Sequence, residues 1–236
     1  MKFSIIIPVL NESDRINELL NHLEMVFNGY DFEIIISDGD ESGSTIKNIK
    51  SPVNINLKKI LSPKGRAVQM NRGADAGAGE IFIFLHADTL LPREAAKEIL
   101  TAFGGSQISA GAFDFEFDTK SSALNLISFI ARWRSRFTRI PFGDQAVFIR
   151  SAFFNRLGGY REIPLMEDVE LMKRIRSSGE KIYISKFRVI TSARKWLNDG
   201  ILKNTLRNWR NQILYSAGWS TEKLAEYYYK NRNGIK

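Results

Sequence analysis

Cysteine is missing from all 236 residues. Its absence excludes disulfides, thiolate metal sites and a cysteine nucleophile, and it is compatible with a reducing compartment. Histidine is scarce, with two residues, His22 and His86. Long hydrophobic runs are missing too. No apolar stretch approaches the roughly 20 residues that cross a bilayer. The opening "MKFSIIIPVLNESDR" meets Asn11 and Glu12 too soon, and lacks the small-residue cleavage site, for a signal peptide. It reads as a first strand. Nor is there a linker, an internal repeat or a low-complexity segment. At 44% hydrophobic and 25% charged, the composition is that of a globular chain able to bury its own core. Acidic excess is also lacking. The net charge is +8, which admits nucleic acid, anionic lipid or phosphorylated small molecules as partners without choosing among them. The excess is marked near the C-terminus, at Lys195, Lys203, Arg207 and Arg210. These features describe a cytoplasmic protein, with peripheral contact at the inner membrane face left open by the charge.

The chain alternates strands and helices. Phe3 to Val9, Phe32 to Ser37, Ile55 to Leu61 and Ile81 to Leu85 read as strands. Between them, Ile16, Leu19, Leu20, Leu23, Val26 and Phe27 fall at helical spacing after Ser13, a suitable N-cap. Ala67 to Ala76 and Arg93 to Phe103 read as further helices, the latter with Pro92 at its first turn and Gly104 after it. Strands apolar on both faces imply an α/β fold, a mostly parallel central sheet flanked by helices. Beyond residue 110 the pattern mixes. Ala112 to Phe117 alternates like a half-exposed strand, and Leu124 to Phe137 is a helix rich in aromatics and Arg. Glu167 to Arg176 is a short helix, Lys181 to Ile190 a strand, and the chain from about 199 is helical. One domain over 1–236 is the simplest reading, with a nucleotide-type half to about 110 and a mixed half after it.

Ligands of open parallel sheets bind beyond the carboxyl ends of the strands. Three such ends are polar here: Pro8 to Glu12, Ser37 to Asp40, and His86-Ala87-Asp88. Asp88 is a hard oxygen donor of the kind Mg²⁺ or Mn²⁺ takes, though a helix cap would use the same residue. "SDGDESGS" mimics the start of a calcium loop, but its twelfth position is Ile49, so it reads as a turn. Lys64, Arg66 and Arg72 surround a helix start, where backbone amides and cations suit phosphate and also occur as a solvated basic end. Glu167 and Asp168 open a helix, where the dipole favours acids and where either could be a general base.

The order of these segments is more specific than any one of them. "SIIIPVLNE", "IIISDGDESGST", "KGRAVQMNRGADAGAGEIFIFLHADT" and "MEDVELMKRIR" follow one another at separations that resemble the family 2 glycosyltransferases, of the GT-A fold, over most of residues 3–195. "FLHADT", "PFGDQAVFIR" and "PLMEDVEL" look like a short bacterial subgroup associated with radical SAM or selenoprotein-type genes. The resemblance implies an inverting transfer of sugar from a nucleotide-diphosphate donor to a hydroxyl acceptor. It implies that Pro8, Asn11 and Glu12 line the nucleotide pocket and that Asp38 bonds the base. Lys64, Arg66, His86 and Ala87 would lie beside the nucleotide or its phosphates. Asp88, with His86, would hold a divalent cation, Mg²⁺ or Mn²⁺. Asp168 would be the catalytic base and Glu167 its partner. Gly143, Asp144 and Gln145, with Arg194, would face the acceptor. Trp133, Trp196, Trp209 and Trp219 are of a kind that stacks on sugars but more often fills cores or interfaces. Arg132, Arg134, Arg136 and Arg139 around Trp133 fit a solvated helix face, a phosphorylated acceptor or anionic lipid.

Two departures stand out. The family's Asp-x-Asp usually has Asp where this chain has His86, and imidazole suits Mn²⁺ better than Mg²⁺. Some relatives carry a metal-binding His after the Glu-Asp pair, where this chain has Ser192, Ala193 and Arg194. A UDP-linked donor follows family habit alone. A sugar-nucleotide nucleotidyltransferase would need a glycine- and arginine-rich loop after the first strand, which "PVLNESDRI" lacks. A non-catalytic nucleotide- or nucleic-acid-binding protein would account for the charge, but no nucleic-acid module is present. No nucleic-acid partner is therefore expected. The aromatic end, Trp219 with Tyr227 to Tyr229, is suited to a partner surface, with oligomeric state open.

Overall fold

The computed structural model describes residues 1–50, 55–104 and 108–233, with side chains of the last helix only to Tyr228. The reading of Tyr229 as part of an aromatic surface lies outside the described side chains. In chain order, β1 (Phe3–Val9), α1 (Ser13–Val26), β2 (Phe32–Asp38), α2 (Ser44–Lys47), β3 (Asn56–Leu61), α3 (Arg66–Ala76) and β4 (Ile81–Phe84) form the front half. Next come β5 (Thr89–Leu90), α4 (Ala95–Phe103), β6 (Ile108–Phe117), α5 (Ser122–Thr138), a 3₁₀ turn at Gly143–Gln145, β7 (Val147–Arg150) and α6 (Ser151–Arg156). α7 (Glu167–Ser177), β8 (Lys181–Thr191), α8 (Arg194–Asp199), α9 (Ile201–Ser216) and α10 (Thr221–Asn233) complete the described chain.

The eight strands of the described residues join one sheet in the order β3-β2-β1-β4-β7-β6-β8-β5. β3, β2, β1 and β4 run parallel, but β7 is antiparallel to both neighbours and β5 is antiparallel to β8. The sheet is therefore mixed but, as expected, mostly parallel: β6 and β8 also run parallel, and β7 and β5 are the antiparallel exceptions. The front strands reach their neighbours through helical crossovers, whereas β7 follows a turn and returns against β4. The central strands are buried because both faces are covered, whereas the edge strand β3 stays partly exposed. Ile5 and Ile7 pack under α1 and α4, while Ile6 faces α3 and, with Phe82 and Phe84, the Phe154 and Tyr160 rings.

Three local expectations change. Ser13 does not cap α1; its hydroxyl donates to the Ser44 carbonyl at 3.0 Å, tying α1 to the α2 turn. β6 is not half-exposed, because α5 covers it and its Asp114 is buried in an ion pair with Arg136 at 2.5 Å. α4 starts at Ala95, two residues late, after a turn in which Ala95 N–H bonds the Pro92 carbonyl. Of the tryptophans, Trp196 packs edge-on against Phe117 at 5.4 Å, and Trp133, Trp209 and Trp219 are exposed.

Candidate active site

Parallel pairing aligns the polar strand ends. Val9 pairs with Asp38, and the β1–β4 ladder carries on to a bond from Leu85 N–H to the Ile6 carbonyl, just before His86. The loop after His86 is then fastened to the end of β8. Ser192 N–H donates to the Asp88 carbonyl at 3.0 Å, and the Thr89 and Thr191 hydroxyls meet at 3.1 Å. These bonds place Asp88 between two recesses. One, of about 280 Å³, is shared with Arg66, His86, Asp144, Glu167 and Asp168. The other, of about 380 Å³, lies on the α1 side against Asp14, Arg15, Ala87 and Asp118.

The acids at the start of α7 are held firmly. Met166, just before them, has a left-handed backbone at φ 70, uncommon for a residue other than glycine, and it aims the first turn at the cavity. Asp168 accepts the Gly143 N–H on Oδ2 and the Val169 N–H on Oδ1, both at 2.7 Å. Glu167 is buried, which pushes its carboxyl up, and the Arg66 guanidinium at 3.1 Å opposes that push. A Cβ at Gly143 would lie 3.2 Å from His86 Nε2 and 3.5 Å from Asp168 Oδ2, so this turn, His86 and Asp168 sit against one another.

Asp144 keeps some surface open to the cavity but lies deep among protein atoms. Desolvation, then the charge of Asp168, pushes its carboxyl up to about 6, against the pull of Arg134. Its Oδ1 is buried with no hydrogen-bond partner among the described residues. Arg134, itself lowered to about 10 by burial, stacks 3.4 Å above the Phe142 ring. His86 is pushed down to about 3, first by desolvation and then by the charges of Arg66 and Lys195, so it is neutral at pH 7.

The cavity thus gathers Arg66, His86, Asp88, Gly143, Asp144, Glu167 and Asp168 from the residues singled out in the sequence. Ser192, Lys195 and Trp196, also noted in the sequence, line it as well, while the remaining predicted site residues lie outside its lining. Asp38 is wholly buried and accepts N–H groups from Asp40, Thr45 and Ile46, which builds the turn after β2. Gln145 is also wholly buried, with bonds to the Phe113 carbonyl, the Ser135 hydroxyl and the Phe142 N–H. Such a residue shapes the turn from within. Glu12 is raised by burial and by the charge of Asp88, and Arg194 approaches it at 3.9 Å. Pro8 is half-buried at the end of β1, while Asn11 and Lys64 are exposed. Ala87 lines the α1-side recess. Sequence reasoning missed the contribution of the last two helices: Asn208, Asn211 and Gln212 of α9 and Tyr228 of α10 also line the cavity. The polar residues Asn204, Asn208 and Asn211 recur at helical spacing in α9 and were the available signal.

No group of three or more His, Cys, Asp or Glu among the described residues forms a ready-made ligand set. The donors present, one open carboxylate at Asp88 and a neutral imidazole at His86, fit an ion that takes its remaining ligands from phosphate and water.

The glycosyl transferase family 2 profile matches residues 4–158. A dolichol-phosphate mannosyltransferase of Pyrococcus furiosus is 28% identical over 116 residues, 48% of this chain and 33% of that protein. A PGL/p-HBAD biosynthesis glycosyltransferase of Mycobacterium bovis is 30% identical over 169 residues, 67% of this chain and 62% of that protein. The chain thus spans from a third to about three-fifths of these relatives. Among solved structures, the mannosyltransferase PcManGT of Pyrobaculum calidifontis, in complex with GDP-Man and Mn²⁺, superposes with a TM-score of 0.67 at 17% identity, covering 80% of this chain and 56% of that one. TarS 1-349 of Staphylococcus aureus, in complex with UDP, gives 0.65 at 18% identity, covering 81% and 60%. These likenesses show an α/β fold with a central mixed sheet flanked by helices.

Proposed function

Because the chain belongs to glycosyl transferase family 2, we propose that it moves a sugar from a nucleoside-diphosphate donor to a hydroxyl of an acceptor, inverting the anomeric carbon. The observation that carries this reading is the meeting of Asp168, Glu167, Arg66, His86 and Asp88 in one cavity at the carboxyl ends of the front strands. Asp168 takes the proton of the acceptor hydroxyl, whose oxygen attacks the anomeric carbon. The nucleoside diphosphate departs from the opposite face with the bonding electron pair. The Gly143 N–H holds the Asp168 carboxylate in one orientation, so the base is aimed before the acceptor arrives. Arg66 and Lys195 line the same cavity and offset the negative charge that grows on the leaving group. His86, being neutral, contributes a hydrogen bond and no charge.

Asp88, with the His86 imidazole, would hold a divalent cation, which when bound screens the diphosphate. The complex of PcManGT with Mn²⁺ and GDP-Man supports that choice only as a likeness of fold. UDP is the first donor nucleotide to test. The two halves, about 1–110 and 111–236, share one continuous sheet, which supports one domain with donor and acceptor sides. The likeness to the radical SAM or selenoprotein-associated subgroup rests on "FLHADT", "PFGDQAVFIR" and "PLMEDVEL" alone.

The test is a melting-temperature panel with UDP, GDP, CDP and dTDP, each with and without Mn²⁺. A ligand that binds only the folded state raises the midpoint by mass action. One diphosphate should stabilise the protein, and more so with metal. Asp168→Asn should keep that response and lower turnover of the matching nucleotide sugar by about 10²- to 10⁴-fold. Failure of all four diphosphates would overturn the donor site.

A further inference from the structure

Two helices carry rows of large apolar side chains on their solvent faces. On α5 these are Leu126, Phe129, Ile130, Trp133 and Phe137, with Phe137 89% exposed. On α9 they are Leu202, Leu206, Trp209 and Ile213, with Leu202 71% exposed. Both sets recur every three or four residues, so each forms a single stripe opposite the buried side of its helix. The helices adjoin where Arg134 of α5 reaches Gln212 of α9 at 3.4 Å. Large apolar rows of this kind mark interaction sites.

The charge says what covers them. Neither helix contains an acid; Arg132 and Arg136 of α5 and Lys203 of α9 flank the stripes, while Arg134 and Arg207 turn inward onto the Phe142 and Tyr228 rings. Beside the α5 stripe, a groove of about 500 Å³ is walled by Phe129, Trp133 and Phe137 and edged by Arg132, Arg136 and Arg188. Arg136 is paired with Asp114, which also lines the groove, and Arg188 with Glu116, which leaves Arg132 as the edge cation with no ion pair among the described residues. A second copy packed face to face would set cationic edge against cationic edge. Acyl chains beneath acidic headgroups match both the stripe and its rim.

We propose that the α5 and α9 faces seat this protein on an anionic phospholipid surface. No described helix is long and apolar enough to cross a membrane, so the contact is peripheral. The inference is independent of the transferase reading, because vesicle binding needs no substrate.

Co-sedimentation with phosphatidylcholine vesicles, with and without phosphatidylglycerol, tests it on the full chain. The protein should sediment with the acidic vesicles, shift its tryptophan emission to the blue, and release as salt screens the arginines. The double substitutions Trp133→Ser with Phe137→Ser, and Leu206→Ser with Trp209→Ser, should each lower partitioning at least about tenfold with melting temperature unchanged. Equal binding to neutral vesicles, no binding to either, or unaltered binding of both variants would overturn the proposal. A concentration-dependent dimer in sedimentation velocity, lost in the same variants, would assign the faces to a second copy instead.

Discussion

Asp144 and His86 are both driven toward their neutral forms, by shifts of opposite direction and opposite effect on stability. Asp144 rises from an ordinary 3.8 to about 6, so the folded state holds its proton more tightly than the unfolded chain. The resulting penalty is absent below the ordinary value, grows between 3.8 and about 6, and is complete above that. His86 falls from 6.5 to about 3, so its contribution is present above 6.5 and is lost as pH drops toward 3. The two oppose each other, and the wild-type curve alone does not separate them. Asp144→Asn does. In metal-free buffer its stability relative to wild type should rise from pH 4 to pH 7 by on the order of 1–2 kcal/mol, discounted for partial exposure, whatever constant offset the lost Arg134 contact adds. Urea melts at each pH read this difference, and a flat or falling one would remove Asp144 from the perturbed groups. In the sequence, Asp144 had only the acceptor-facing place that the family resemblance implies. What makes it unusual is the depth of the turn and the neighbouring charge of Asp168, and both require the fold.

Elements were more legible than their contacts. The strand β1 and helix α3 follow from apolar periodicity, and their ends agree with the pattern to within a residue. Their separation does not follow from it. Gly73, inside α3, is so close to β1 that a Cβ there would lie 2.4 Å from Ile6 Cγ2. Helix propensity alone favours Gly73→Ala by roughly 1 kcal/mol, whereas overpacking typically costs about 1–3 kcal/mol. Because Ile6 is wholly buried in the sheet, the cost should win. Gly73→Ala should lower the urea midpoint with an unchanged slope, and a gain in stability would mean the helix can move away from the strand. The same gap explains the Ser13 expectation. A Ser before a helical run is a good cap, but here α2 packs close enough to take its hydroxyl elsewhere.

At the scale of the whole molecule, the C-terminal helices fold back to finish the cavity begun by the front half. Tyr228 of α10 lines it, accepts a bond from Lys195 Nζ at 3.2 Å and lies under the Arg207 guanidinium at 4.8 Å. If the back half chooses the acceptor, Tyr228→Ala should raise the acceptor KM severalfold while the melting response to nucleoside diphosphate persists. Loss of that response would place Tyr228 on the donor side instead.

The sequence by itself determined the α/β class, the order of the front strands and helices, and several of the acids and cations that meet in the cavity. These rest on local periodicity and on motifs only a few residues long, which act through near neighbours. Only the tertiary structure decided that β7 enters antiparallel between β4 and β6, making the sheet mixed. It alone decided that Asp38 and Gln145 are spent on turns, that Asp144 sits beside Asp168, and that α9 and α10 reach the cavity. Each of these depends on contacts between residues far apart in the chain, and on the desolvation that comes only when such segments close over one another.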